Sequence, residues 1–94
     1  MLIVRETFTA KPGQASKLAA LLKDAATSMA PGHVRVMTDL VGPFNTVVLE
    51  TEVASLDEFE LHMRAYGSNH DVRERMRGYT DLWITGVREV FSVL

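Results

Sequence analysis

The chain has no cysteine among its 94 residues. That excludes disulfides, thiolate metal sites and cysteine nucleophiles together. An excess of one charge is missing too: ten Lys and Arg stand against twelve Asp and Glu, for a net charge of −2. Nucleic-acid binders usually carry a marked basic excess, so no nucleic-acid partner is expected. Long apolar runs are absent, and none approaches the roughly 20 residues that a membrane helix needs. The opening Met1-Leu2-Ile3-Val4 is cut short by Arg5-Glu6, unlike a signal peptide. These absences predict a cytoplasmic protein without membrane insertion. There is no Gly-rich phosphate loop, and the Ser, His and Asp residues form no nucleophile motif.

What is present fits one domain spanning residues 1–94. The hydrophobic share is 47%, enough for a packed core. A domain this small buries a limited fraction of its surface, so self-association would help it. From Leu2 to Ala10 the chain alternates as a half-buried strand. Leu2, Val4, Glu6 and Phe8 fall on one face; Ile3, Arg5, Thr7 and Thr9 fall on the other. Pro12-Gly13 ends the strand, and Gln14 to Met29 follows as an amphipathic helix. Its stripe is Ala15, Leu18, Leu22, Ala25 and Met29. Ala30-Pro31-Gly32 stops it.

A second strand is predicted over 33–41, with Val34, Val36, Thr38 and Leu40 on one face. His33, Arg35, Met37 and Asp39 take the other. Gly42-Pro43-Phe44-Asn45 is a turn, so a third strand over 46–53 pairs with the second as a hairpin. Ser55-Leu56-Asp57-Glu58 is a capping box, in which Ser55 accepts from the Glu58 amide and Glu58 reaches back. The helix after it is expected to bury Leu56, Phe59, Met63 and Tyr66. Gly67-Ser68-Asn69 interrupts it. A further helical piece over 69–82 carries the stripe Val72, Met76, Tyr79 and Trp83. A last strand over 85–93 places Val87, Glu89, Phe91 and Val93 on an apolar face, and Arg88, Val90, Ser92 and Leu94 on the other. The apolar end of the chain predicts a C-terminus tied into the sheet.

This order, βαββαβ, predicts an α+β fold with a four-stranded antiparallel sheet and helices on one face. The face away from the helices is expected to carry Ile3, Arg5, Met37, Val48, Glu50, Glu52, Val90 and Leu94. That mixture fits the inner layer of a homodimer, with Arg5 or Arg35 paired against Glu50 or Glu52. An ordinary solvated face with scattered aliphatics is the other reading.

The run from Ile3 to Gly13 resembles the opening of the NIPSNAP family, within the dimeric α+β barrel superfamily. Val41 to Val48, followed by Ser55 to Phe59, resembles that family's second conserved stretch. The resemblance implies a ferredoxin-like fold whose sheets pack into a barrel across a two-fold axis. It implies no settled activity. The superfamily also holds cofactor-independent monooxygenases that form quinones and haem-degrading monooxygenases, with sites between helices and sheet. The haem-degrading enzymes use an Asn, a Trp and a haem-ligating His. Aligned on Ser55 to Phe59, the Trp and His positions fall near His62 and Arg77, so the types do not match. No cofactor is therefore expected.

Several residues are candidates for chemistry, each with a plainer reading beside it. Glu6 and Glu89 sit mid-strand on faces read as apolar, and the first and last strands are neighbours in this fold. If the two carboxylates meet, one pKa rises and a general base results; otherwise both are solvated or paired with Arg. His62 borders the helix–sheet cleft as a base or is a surface His. Arg75 holds a substrate anion or pairs with Asp71 one turn away. Tyr66, Tyr79 and Trp83 line a pocket for a planar ligand or simply fill the core. The arginines from Arg73 to Arg77 form an anion patch or a solvated helix face. His62 and His70 are eight apart across a glycine break, which is no metal spacing, so no metal is expected. Two functions follow: a homodimer with a small-molecule cleft, as an enzyme a cofactor-independent monooxygenase of a phenolic or quinone-like compound; or a non-catalytic assembly module with the cleft filled by its own side chains.

Overall fold

The computed structural model describes residues 1–94. The strand β1 (Leu2–Ala10) leads through a Lys11-Pro12-Gly13 corner into α1 (Ala15–Met29). The hairpin β2 (Val34–Thr38) and β3 (Thr46–Val53) follows, then α2 (Leu56–Ser68), the short α3 (His70–Arg75), a 3-10 turn (Tyr79–Asp81) and β4 (Trp83–Ser92). The strands are antiparallel in the order β2-β3-β1-β4, the ferredoxin-like arrangement. No helix is long and apolar enough to cross a membrane.

The core forms where α1 meets the sheet. Leu18 and Leu22 pack with Phe8, Ala10, Val47 and Leu82, all buried. Their spacing of four in the helix and two in the strand puts both sets on the facing surfaces. The β2–β3 turn is held by Asp39, whose Oδ1 accepts from the Thr46 amide at 2.9 Å, while the Thr46 hydroxyl donates to the Pro43 carbonyl at 2.8 Å. Ser55 Oγ accepts from the Glu58 amide at 3.2 Å, as the capping box requires. Glu58 reaches one residue further back than expected and accepts from the amide of Ala54.

Four expectations need correction. The strand β2 stops at Thr38, and Leu40 and Val41 stand exposed in the turn. Leu56, at the first turn of α2, is 63% exposed rather than buried. The helix expected over 69–82 ends at Arg75, and Gly78, with a positive φ of 80°, keeps it from resuming before the 3-10 turn. Trp83 is therefore the first residue of β4, not part of a helical stripe.

The fourth correction concerns the faces of β4. Thr9 pairs with Thr85, yet Ala10 pairs with Trp83, so Ile84 is an extra residue in the ladder. This bulge turns Trp83 towards the helices and leaves Ile84 58% exposed. The apolar pattern places Val87, Glu89, Phe91 and Val93 inside; the register with β1 reverses that parity. Glu89 lies opposite Arg5 and Phe91 opposite Ile3, on the face away from the helices. Arg88 and Val90 lie opposite Glu6 and Val4, on the helix side.

Candidate functional site

Between α2, α3 and the β1–β4 half of the sheet lies a cavity of about 460 Å³. Its floor is strand: Glu6 and Phe8 from β1, Leu49 from β3, and Trp83, Gly86 and Arg88 from β4, with Val87 bordering it while its side chain faces the other way. Leu22 closes one side. Met63 and Tyr66 of α2, with Met76 and Tyr79 beyond it, form the roof. Nine of the twelve lining residues are hydrophobic. The glycine mid-strand has a local reason: a Cβ on Gly86 would stand 3.2 Å from the Phe8 ring. The Phe8 ring tilts against Trp83 with centroids 5.4 Å apart, and Trp83 lies 6.3 Å from Tyr79. The Trp83 indole N–H is buried without a hydrogen-bond partner, so packing alone fixes that ring.

The polar groups gather at one wall. Arg88 Nη2 donates to Glu6 Oε2 at 3.3 Å. The same guanidinium lies 5.9 Å from the Phe59 ring centroid, a cation–π distance. Tyr66 shares this wall. Burial first, and then the Glu6 charge, push its hydroxyl up to about 12, with Arg88 acting in the opposite direction. At neutral pH that hydroxyl keeps its proton and can donate a hydrogen bond. The wall thus presents an acceptor, Glu6, beside two donors, Arg88 and Tyr66, within an otherwise apolar space.

Of the residues singled out in the sequence, Glu6, Tyr66, Tyr79 and Trp83 come together here. Glu89 does not join them. Cross-strand register sets it on the opposite face, so no pair of carboxylates forms with Glu6; the neighbour of Glu6 is Arg88. His62 lies behind the main cavity, on the wall of a small void of about 20 Å³ shared with Val4, Thr51 and Phe59. Arg75 is on the outer side, donating to Asp71 at 2.9 Å and to Asp24 at 2.8 Å, which ties α3 to α1. Arg88 and Gly86 were not foreseen. The glycine inside an alternating strand was the available signal for a close approach; Arg88 was hidden by the bulge at Ile84.

No family model matches the chain, and no curated protein matches it. Solved structures do match. A NIPSNAP family protein from Agrobacterium tumefaciens superposes with a TM-score of 0.84 at 12% identity, over 99% of this chain and 85% of that one. An uncharacterised NIPSNAP domain protein from Burkholderia xenovorans gives 0.79 at 11% identity, over 100% and 95%. A candidate antibiotic biosynthesis monooxygenase from Chloroflexus aurantiacus gives 0.75 at 21% identity, over 99% and 92%. At these identities the likeness is one of fold: the chain has the ferredoxin-like fold found in NIPSNAP family proteins.

Proposed function

We propose that this chain is a NIPSNAP-like homodimer in which each subunit binds a small planar molecule between helices and sheet. The observation that carries this reading is the cavity of about 460 Å³ with its single polar wall. Its size suits a small organic ligand, since such pockets run from about 300 to 1,000 Å³. Its chemistry suits a hydroxy-aromatic: the ring lies against Trp83 and Met63, and the hydroxyl donates to Glu6 and accepts from Tyr66 or Arg88. The open space between these side chains favours this reading over an assembly module, whose cleft would be filled. The homodimer is supported by the face away from the helices, where Ile3, Met37, Val48, Val87 and Phe91 stand without cover from α1 or α2.

The test uses Trp83, the only tryptophan. Titration with 1,4-naphthoquinone or 1-naphthol is expected to change its emission saturably. In Gly86→Val the added side chain presses on Phe8 and intrudes on the cavity floor beside Trp83, so the saturable phase is expected to weaken markedly. A linear, non-saturating response from both compounds, unchanged in the variant, would sink the reading.

The position of Glu6 favours an extension to cofactor-free oxygenation. A phenolic ligand that gives its proton to Glu6 becomes a phenolate, able to pass an electron to O2. In the complete reaction a ring C–H and the O–H are lost. One oxygen atom becomes the second quinone carbonyl and the other leaves as water with the two hydrogens. Glu6 moves the proton, Arg88 and Tyr66 hold the developing phenolate, and the apolar walls exclude water. Glu6→Gln is expected to retain ligand binding while slowing O2 uptake on the order of a hundredfold. Undiminished uptake in that variant would remove Glu6 from the chemistry.

A further inference from the structure

One row crosses the whole sheet on the face away from the helices. Arg35 of β2 lies opposite Glu50 of β3, Glu50 opposite Arg5 of β1, and Arg5 opposite Glu89 of β4. Directly opposed residues share a face, so the four side chains form one line of alternating sign: plus, minus, plus, minus. The middle of the row is satisfied within the chain. Glu50 is 4% exposed, with Arg5 on one carboxylate oxygen and Arg35 on the other. The ends reach solvent. Arg35 is 68% exposed at one edge. Glu89 is exposed at the other edge and forms no ion pair, because Arg5 turns towards Glu50 and lies over the Phe91 ring. The next row is Met37, Val48, Thr7 and Val87, largely aliphatic.

We infer that this row is a self-recognition device, and that the surface it marks takes a second copy of the same chain in one orientation. The inference rests on the homodimer reading above and adds what selects the partner and its alignment. Two sheets facing each other can be related by a two-fold axis along the strands or along the row. An axis along the row sets every residue against itself: Arg35 meets Arg35 and Glu50 meets Glu50. An axis along the strands reverses the row. Arg35 then faces the partner's Glu89, and Glu50 faces the partner's Arg5. All four contacts become attractive, and the unpaired Glu89 meets the exposed Arg35, which already holds Glu50 within its own chain. Alternating rows of even length have this property, and charge complementarity of this kind fixes register and rejects wrong partners.

The experiment uses Glu89→Arg and Arg35→Glu. Each variant alone sets like charges against each other twice per dimer. Each is expected to self-associate on the order of tenfold more weakly than the native chain in 50 mM salt, by sedimentation equilibrium. Mixed together, with one chain isotopically labelled, they regain both contacts. Native mass spectrometry should then show the mixed dimer as the dominant species. If Arg35→Glu does not fold by circular dichroism, Glu89→Arg decides alone: its defect must shrink in 1 M salt, where charges are screened beyond about 3 Å. A native dimer with Glu89→Arg associating equally well, or two weakened variants that form no mixed dimer, overturns the row and leaves the homodimer standing. A native chain that is monomeric overturns the homodimer reading itself.

Discussion

Leu18→Ala is expected to lower stability by about 3–4 kcal/mol, through the lost transfer energy of the side chain and the hole left behind. Leu18 is fully buried, one of the two largest side chains that are. It packs from the first turn of α1 onto Phe8, Ala10 and Val47 of the sheet. None of these can move into the space: Phe8 is already against Trp83 and Gly86, and Ala10 has no length to extend. The loss should therefore lie in the upper part of the usual range rather than the lower. For a domain of this size it corresponds to a fall in Tm of roughly 12–25 °C. Thermal unfolding followed by circular dichroism at fixed protein concentration measures it. A change of only a degree or two would mean that α1 is not seated as described. The same variant also bears on the cavity, because Phe8 and Leu22 belong to both the core and the cavity wall. The core holds the cavity open from one side only; on the other, α2 buries no residue fully and spans the gap through half-buried Met63 and Tyr66.

Much of this arrangement is legible in the residues. The strands β1 and β3 run where alternation and turn chemistry place them, and Ser55 caps α2 as its motif demands. Glu6 stands out in the sequence because a carboxylate interrupts Leu2, Val4 and Phe8 on an apolar face. Its neighbour could not be read the same way. The strand β4 has apolar residues on both parities, Val87, Phe91 and Val93 against Val90 and Leu94, so pattern alone does not orient it. Pairing with β1 and the bulge at Ile84 do, and one extra residue moved Arg88 into the site and Glu89 out of it. The helix over 69–82 failed for a related reason. Its apolar spacing was right, and Val72, Met76 and Tyr79 do point inward, but Gly78 adopts a backbone angle that helical periodicity ignores. Cavities are the hardest feature to read. Met63, Tyr66, Met76 and Trp83 have the spacing of a core whether they fill a space or surround one, and only the standoff of α2 from the sheet decides it.

Arg5→Met is expected to cost roughly 2–3 kcal/mol at neutral pH, because it leaves one oxygen of a buried carboxylate without its donor. Arg5 Nε donates to Glu50 Oε2 at 2.7 Å, and Arg35 serves the other oxygen. The usual figure for breaking a buried pair is about 3–5 kcal/mol; the half-exposed position of Arg5 and the surviving Arg35 bring it down. Methionine keeps the length of the aliphatic stem and loses the guanidinium over Phe91, so lost packing contributes little beside the lost charge. The pH dependence identifies the cause. The hydrogen bond from Arg35 first, and that from Arg5 after it, hold the Glu50 carboxyl below its usual value against the opposing effect of burial. A depressed carboxyl binds fewer protons folded than unfolded. Its contribution is therefore full above the unfolded value near 4.5 and lost as pH falls through the folded one. Without Arg5 the folded carboxyl titrates higher, and that contribution shrinks. The gap between the two proteins should then be widest at pH 7 and should narrow steadily below pH 4.5. Urea unfolding at pH 7, 4.5 and 3, at one protein concentration, reads it directly. A gap that stays constant across that range would assign the loss to packing and not to the charge that Arg5 holds in place.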